Sequence, residues 1–369
     1  MKEYKSLFII TCILVANYTA NGQDLLRLAQ EEIDKYERVS YKQKAFYPNP
    51  VGRIDTVNVT ANFQKSKSSL LKYDFIIEKD FFNSDVVYID GRFRSVKNRD
   101  ETIVFYPEND PGELMYLIET LPDVEYSPVT LLNRSDWEFV SDTLIGGQEL
   151  KEYFRVVTDE TRDGNTIYTE QHIFLNPDSK RLERWERRNY YNGSLQKVVY
   201  TYWDYSLSNS GASLSYELPS NYRSELYGKA KDSRMLKAGQ EAPVFSGSDL
   251  QGSSIDLEDY RGKKVLLNFS SIGCPHSQDA LRYMDKEGFQ LAGNITPLFL
   301  SIWDRKEDVV EYFKQINGPL TVILDTEEVS EMYGVSGTPT FILIDEKGNI
   351  EKVAEGFDKE FLNSLKAGS

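Results

Sequence analysis

Cysteine and histidine are almost missing from this 369-residue chain. There are two of each: Cys12 and Cys274, His172 and His276. Cys12 lies in an N-terminal segment expected to be removed, which leaves Cys274 as the one thiol of the mature chain. No intramolecular disulfide can then form, and the fold must rest on its apolar cores. One cysteine and two widely spaced histidines do not supply a zinc or copper site built from these residues, so no metal or other cofactor is expected. Positive charge is also scarce. Lys and Arg number 43 against 58 Asp and Glu, a formal net charge of −15. That excludes nucleic acid as a partner, because phosphate binding needs a basic face. Long apolar runs are confined to the start of the chain, and none after it is long enough to span a bilayer.

The first residues read as a targeting segment. Met1-Lys2-Glu3-Tyr4-Lys5 is short and weakly basic, Leu7 to Ala16 is apolar, and Ala20-Asn21-Gly22 offers a small-x-small cleavage site. This is the layout of a secretory signal peptide over 1–22, cleaved near Gly22. The mature chain is expected to be exported, periplasmic or extracellular, with no transmembrane segment. A lone thiol in an oxidising compartment is reactive, paired with another molecule, or buried.

What the chain has is enough apolar and aromatic material for two globular domains. Hydrophobic residues make up 40% and charged residues 27%, with 24 Tyr and 19 Phe. Residues 24–36 carry Leu25, Leu28 or Ala29, Ile33 and Tyr36 at helical spacing. Strands are expected at 56–63, 71–77, 85–94 with a turn at Asp90-Gly91, and 102–106. A helix is expected over 113–120. Further strands fall at 137–143, at 148–158 and 166–175 around Asp163-Gly164-Asn165, and at 182–191 and 195–205 around Asn192-Gly193. Polar and apolar residues alternate, as in an antiparallel sheet with one wet face. Residues 23–228 therefore read as one antiparallel β-sheet domain, curved or half-barrel, with one or two helices against it. A linker is expected over 229–238.

No catalytic constellation stands out in this domain. Its acidic residues read as solvated strand faces. Tyr190-Tyr191 and Tyr200-Thr201-Tyr202-Trp203 read first as core packing or cross-strand pairs, and second as a surface for a partner or an apolar ligand. Lys151, Arg155, His172 and Arg184 sit on neighbouring strands without an evident point of convergence. Through the order of one helix and then many strands, this half loosely resembles the curved-sheet proteins of the lipoprotein-carrier type.

From Gly239 the texture becomes βαβ. An apolar run, Val265 to Phe269, reads as a buried strand. The loop after it reaches Cys274-Pro275-His276-Ser277, where a helix over 275–286 begins. Strands follow at 297–302, 320–324, 340–344 and 350–354, with helices at 305–315, 327–333 and 359–365. The run Leu324 to Ile350, containing Tyr333-Gly334-Val335-Ser336-Gly337-Thr338-Pro339-Thr340, resembles the thioredoxin superfamily. It is similar to the TlpA-like thiol–disulfide oxidoreductases and the wider AhpC/TSA redoxin group, over residues 239–369. The resemblance implies a thioredoxin fold with a cis peptide at Thr338-Pro339 facing the thiol, and substrate contacts at Gly337, Thr338 and Pro339 that pair with an extended segment.

The chain departs from that family's Trp-Cys-x-x-Cys pattern. Gly273 stands in place of the Trp and Ser277 in place of the second, resolving cysteine. Ala280 occupies the position where TlpA-like enzymes often carry an acid, beside Asp279. The attacking cysteine survives as Cys274. A helix N-terminus favours thiolate over thiol, Pro275 suits the first turn, and His276 brings potential positive charge. The resulting expectation is a monothiol oxidoreductase. Cys274 attacks a disulfide, and a protein thiol or partner reductase releases the mixed disulfide. Ser277 is expected to hydrogen-bond to the sulfur. A redox-inactive module that holds a protein or apolar ligand is the alternative. A peroxide-reactive redoxin is a lesser one: the peroxiredoxin Pro and Thr before the cysteine correspond here to Leu267 and Ser271.

Overall fold

The computed structural model describes residues 24–367, apart from 68, 82, 109, 163, 228–234, 287–288, 317–320 and 325. The expected signal peptide and residues 229–234 of the expected linker lie outside the described residues. The chain divides into two compact units. The first holds the described residues to Tyr227 other than Asn49–Arg53, and the second holds those five and the described residues from 235.

The first unit opens with helix α1 (24–34) and runs into β1 (Arg38–Pro48), β2 (Ile54–Lys65), β3 (Tyr73–Lys79), β4 (Ser84–Ile89), β5 (Arg92–Lys97) and β6 (Thr102–Phe105). Three short helices follow, α2 (Pro111–Glu119), α3 (Pro122–Glu125) and α4 (Pro128–Leu131). Then come β7 (Glu138–Ile145), β8 (Gln148–Arg162), β9 (Asn165–Leu175), β10 (Leu182–Tyr191), β11 (Ser194–Ser208) and β12 (Arg223–Leu226). All twelve strands form one sheet, in the order β12-β6-β5-β4-β3-β2-β1-β11-β10-β9-β8-β7. Two antiparallel meanders meet where β1 pairs with β11 along Arg38↔Ser208 to Phe46↔Val199. Only β12 runs parallel to its neighbour.

Leu25, Ala29 and Ile33 of α1, Leu114 and Ile118 of α2, and Val129 and Leu131 of α4 pack on the face that carries Val39, Tyr41, Phe63, Phe75, Trp185 and Tyr200. Pro at the start of each of α2, α3 and α4 sets the helical φ where no N–H is needed. Tyr200 and Tyr202 are core residues, whereas Tyr191 is exposed. The expected packing role thus holds for the buried tyrosines. The sequence reading overlooked β1, and the reason is Gln43. Val39, Tyr41, Gln43 and Ala45 are the inward residues, and Gln43 is a fully buried polar side chain that interrupts the alternation. Its amide donates to Asp123 at 3.1 Å, and Lys79 also pairs with that carboxylate.

The four polar residues singled out on neighbouring strands do not converge on one point. Lys151 pairs with Asp142, Arg155 with Asp136 and Gln171, and Arg184 with Glu186. His172 is linked to Arg184 only at a distance, through Glu152, Arg188 and Glu186, and is separate from the Lys151 and Arg155 pairs. Its Nδ1 lies 2.8 Å from Glu152, and its Nε2 lies 3.1 Å from Glu170 without hydrogen-bond alignment. Arg188 reaches Glu152 and Glu186.

The second unit is built on a seven-stranded sheet. Its strands are β13 (Ser246–Asp249), β14 (Ser254–Asp256), β15 (Lys264–Ser270), β16 (Ile295–Ser301), β17 (Thr321–Leu324), β18 (Thr340–Ile344) and β19 (Ile350–Glu355). They stand in the order β14-β13-β17-β16-β15-β18-β19. The central β15, β16 and β17 are parallel, and β18 and β19 are antiparallel. Helices α5 (Pro275–Met284), α6 (Lys306–Phe313), α7 (Glu327–Tyr333) and α8 (Lys359–Asn363) cover both faces. Val265, Leu267 and Phe269 face α7, while Leu266 faces α5 and α8. Burial on both sides is why Val265, Leu266, Leu267 and Phe269 do not alternate with exposed polar residues. The one polar side chain among them, Asn268, is itself buried and accepts from Ser270 Oγ.

Candidate functional site

Strand β15 delivers the chain to Cys274, and three features hold it there. Residue 274 is the N-cap of α5, with extended φ −84° and ψ 121°, and Pro275 occupies the first helical position. Ser277, Ala280 and Leu281 point inward at helical spacing and dock α5 on the sheet. The peptide before Pro339 is cis, and the Thr338 carbonyl oxygen accepts from the Cys274 thiol at 3.3 Å. Two loops that lie 64 residues apart in sequence thus meet at the sulfur.

The groups around Cys274 act on it in opposite senses. Burial is the largest influence and pushes the thiol up. Hydrogen bonding from Thr338, the Ser277 backbone and hydroxyl, and the His276 backbone outweighs it, so the thiol sits below its ordinary range. The Thr338 carbonyl favours the protonated form, while the donors of the first helical turn favour the thiolate. No side-chain cap is closed in strict geometry. The donors therefore face the sulfur rather than clasp it. The His276 ring is exposed, and His276 acts on the sulfur through its backbone. Ser277 is fully buried, and its Oγ has no other partner among the described residues.

Asp304 is the residue that sequence reasoning missed. Strand register sets Ser270 beside Ser301, so the loops after β15 and β16 emerge side by side. The Asp304 carboxylate accepts from Ser271 Oγ at 2.7 Å, from the Ile272 N–H at 2.9 Å and from Ser301 Oγ at 3.0 Å. Burial pushes this carboxyl up, and those donors only partly oppose it, so it lies above the usual carboxylate range. Gln278 completes the clamp by donating to the Ile272 carbonyl at 2.7 Å. The one available signal was an acid three residues after the end of a buried strand. Asp279, the acid next to Ala280, instead pairs with Arg282 on the outer side of α5. Ser271 is committed to Asp304 and accepts the Gly273 N–H at 3.2 Å. Gly337 is exposed, and its carbonyl accepts from Thr340 Oγ1 at 2.8 Å.

A parallel-centred sheet with a thiol at the start of a helix and a cis-proline loop opposite defines a thioredoxin-fold redoxin domain. Residues 238–353 match the AhpC/TSA family. The thiol-disulfide oxidoreductase ResA of Geobacillus thermodenitrificans is 29% identical over 153 residues, 39% of this chain and 80% of the relative. ResA of Bacillus subtilis is 30% identical over 141 residues, 36% of this chain and 78% of the relative. Among solved structures, the thioredoxin domain of a thiol-disulfide oxidoreductase from Bacteroides vulgatus is 27% identical. It covers 35% of this chain and 96% of that one, with a TM-score of 0.31. Through its C-terminal unit the chain belongs to the thioredoxin-superfamily thiol–disulfide oxidoreductases of the AhpC/TSA redoxin group.

Proposed function

We propose that this protein is an exported monothiol member of that family, exchanging disulfides with protein substrates through Cys274. The observation that carries the reading is the Cys274 environment: a thiol held below its ordinary range at the start of α5, opposite Thr338-Pro339. The Cys274 thiolate attacks one sulfur of a substrate disulfide. A Cys274–substrate disulfide forms, the substrate S–S bond breaks, and the second substrate sulfur leaves as thiolate and takes up a proton. Ser277 has no sulfur with which to resolve this species. A second thiolate, from the substrate itself, a small thiol or a partner reductase, attacks the mixed disulfide and releases Cys274. When the substrate's own thiol does so, the outcome is isomerisation with no net electron transfer. When an external thiol does so, that thiol is the reductant. Gly337, Thr338 and Pro339 line the path of the extended substrate segment, and Ser277 supports the thiolate. Export rests on the apolar segment at the start of the sequence.

The test is a disulfide-reduction assay with a reducing thiol in excess, run on the wild type and Cys274→Ser, with mass spectrometry of adducts. Turnover and a disulfide-linked adduct in the wild type alone are expected. Equal, near-zero rates without an adduct would favour a redox-inactive binding module. The commitment of the Ser271 hydroxyl to Asp304 weighs against the peroxide-reactive reading, because that hydroxyl is turned to the carboxylate.

A further inference from the structure

Trp303 follows β16 by two residues, in the loop that Asp304 ties to the Cys274 loop. Its backbone is fixed on both sides. The Ile302 N–H donates to the Ser270 carbonyl at 3.0 Å, and Ile302 is fully buried. The Asp304 carboxylate holds Ser271 and the Ile272 N–H. Between these anchors Trp303 has φ +65°, and it is the one aromatic among the eight non-glycine residues with positive φ in the described chain. A bulky side chain rarely adopts this conformation, and where it persists its surroundings enforce it. The result is an indole 58% exposed, the most exposed large apolar side chain of the second unit. The other three tryptophans are 3%, 0% and 39% exposed, at Trp137, Trp185 and Trp203.

Gly273 makes the second half of the argument. It is exposed beside the thiol, and a side chain there would meet only Ser271 Oγ, at 3.5 Å. The residue directly before the nucleophile therefore offers a substrate no apolar surface, although there is room for one. The neighbouring loop carries an exposed apolar side chain, on a residue whose carboxylate neighbour is hydrogen-bonded two positions from Cys274. An aromatic anchor gives large contact area at little conformational cost.

We propose that Trp303 is the substrate-contacting residue that selects extended segments carrying an aromatic or long aliphatic side chain next to their disulfide. This rests on the thiol-exchange reading above. The experiment uses the full chain as wild type, Trp303→Gly and Trp303→Phe. Glycine suits the positive φ, and phenylalanine keeps an aromatic. Two probes are compared for the rate of mixed-disulfide formation at Cys274: bis(2-hydroxyethyl) disulfide, and a hexapeptide disulfide with phenylalanine next to its cysteine. The ratio of peptide rate to small-probe rate is expected to fall about tenfold in Trp303→Gly and to stay within about twofold of wild type in Trp303→Phe. An unchanged ratio in Trp303→Gly, whether both rates hold or both fall, would overturn the proposal. A second measurement is the affinity for the same peptide with serine for cysteine, expected to weaken about tenfold in Trp303→Gly. If the wild type reacts with neither disulfide, the exchange reading fails. The affinity measurement then still decides whether Trp303 holds the peptide, and equal affinities would overturn that.

Discussion

The Cys274 sulfur lies 3.3 Å from the carbonyl oxygen of Thr338, the residue joined to Pro339 by a cis peptide. In this arrangement the thiol is the donor, so the contact exists only in the protonated form. Loss of the proton leaves the sulfur to the donors of α5 and the Thr338 side, and the balance favours loss. A titration of thiolate absorbance is expected to give a midpoint below about 8.5, the value of an ordinary thiol. A depressed thiol stabilises the fold fully above its unfolded value, and that contribution is lost as pH falls through the folded value. The reduced wild type should therefore gain stability over Cys274→Ala as pH rises toward about 8.5. A midpoint at or above that value would remove the activated nucleophile.

Ser277 is buried, and among the described residues its hydroxyl bears on the Cys274 sulfur and has no other hydrogen-bond partner. Ser277→Cys should close a disulfide with Cys274 and shorten the life of any mixed disulfide. Loss of adduct signal in the trapping experiment checks this. Ser277→Ala removes a buried hydroxyl that gains little from the protein. Its stability is expected to be unchanged or up to about 1 kcal/mol higher in a denaturant titration, with the thiol midpoint shifted upward.

Asp304→Ala would strand the Ser271 and Ser301 hydroxyls and the Ile272 N–H. A loss of about 3 kcal/mol is expected in chemical denaturation, together with a slower reaction of Cys274. The pH dependence has a definite sign. A carboxyl raised in the folded state binds its proton more tightly there than in the unfolded chain. Stability relative to Asp304→Asn should therefore decline as pH rises from about 3.9 through the folded value.

The buried network of the first unit gives the opposite slope. Burial pushes Glu152 up, but His172, Thr143 and Arg188 outweigh it and hold the carboxyl below its usual range. That stabilisation is present above about 4.3 and lost as pH falls through the folded value. Glu152→Gln should lack this acid-sensitive component. Glu152→Ala, which leaves His172 and Arg188 short of a partner, should cost about 3 kcal/mol in a thermal or denaturant melt near neutral pH.

The residues that were legible in the sequence share a property: their environment is uniform over the length of the element. Val265 to Phe269 is apolar but for Asn268 because both faces of β15 are covered, and Pro275 marks the start of α5 at the chain level. The hairpin turn at Asp90-Gly91 adopts the positive φ that its residues favour. β1 was hidden because Gln43 is buried for the sake of Asp123, which lies 80 residues away. Asp304 and Trp303 were hidden for a similar reason. Their roles depend on the alignment of β16 beside β15, and no local pattern records that alignment. The short α3 and α4 escaped because four residues are too few for a period.

The seam between the two meanders also dictates an order of assembly. β1 finds β2 at once, but its other edge waits for β11, which begins only at Ser194. A chain made from its N-terminus carries that open strand edge through most of the first unit's synthesis. Such long-range pairing is slow, and an open edge invites pairing with other chains. Lys42 and Lys44 alternate with the inward residues of β1. They put charge on the waiting strand, and charge on an open edge disfavours pairing with the wrong partner.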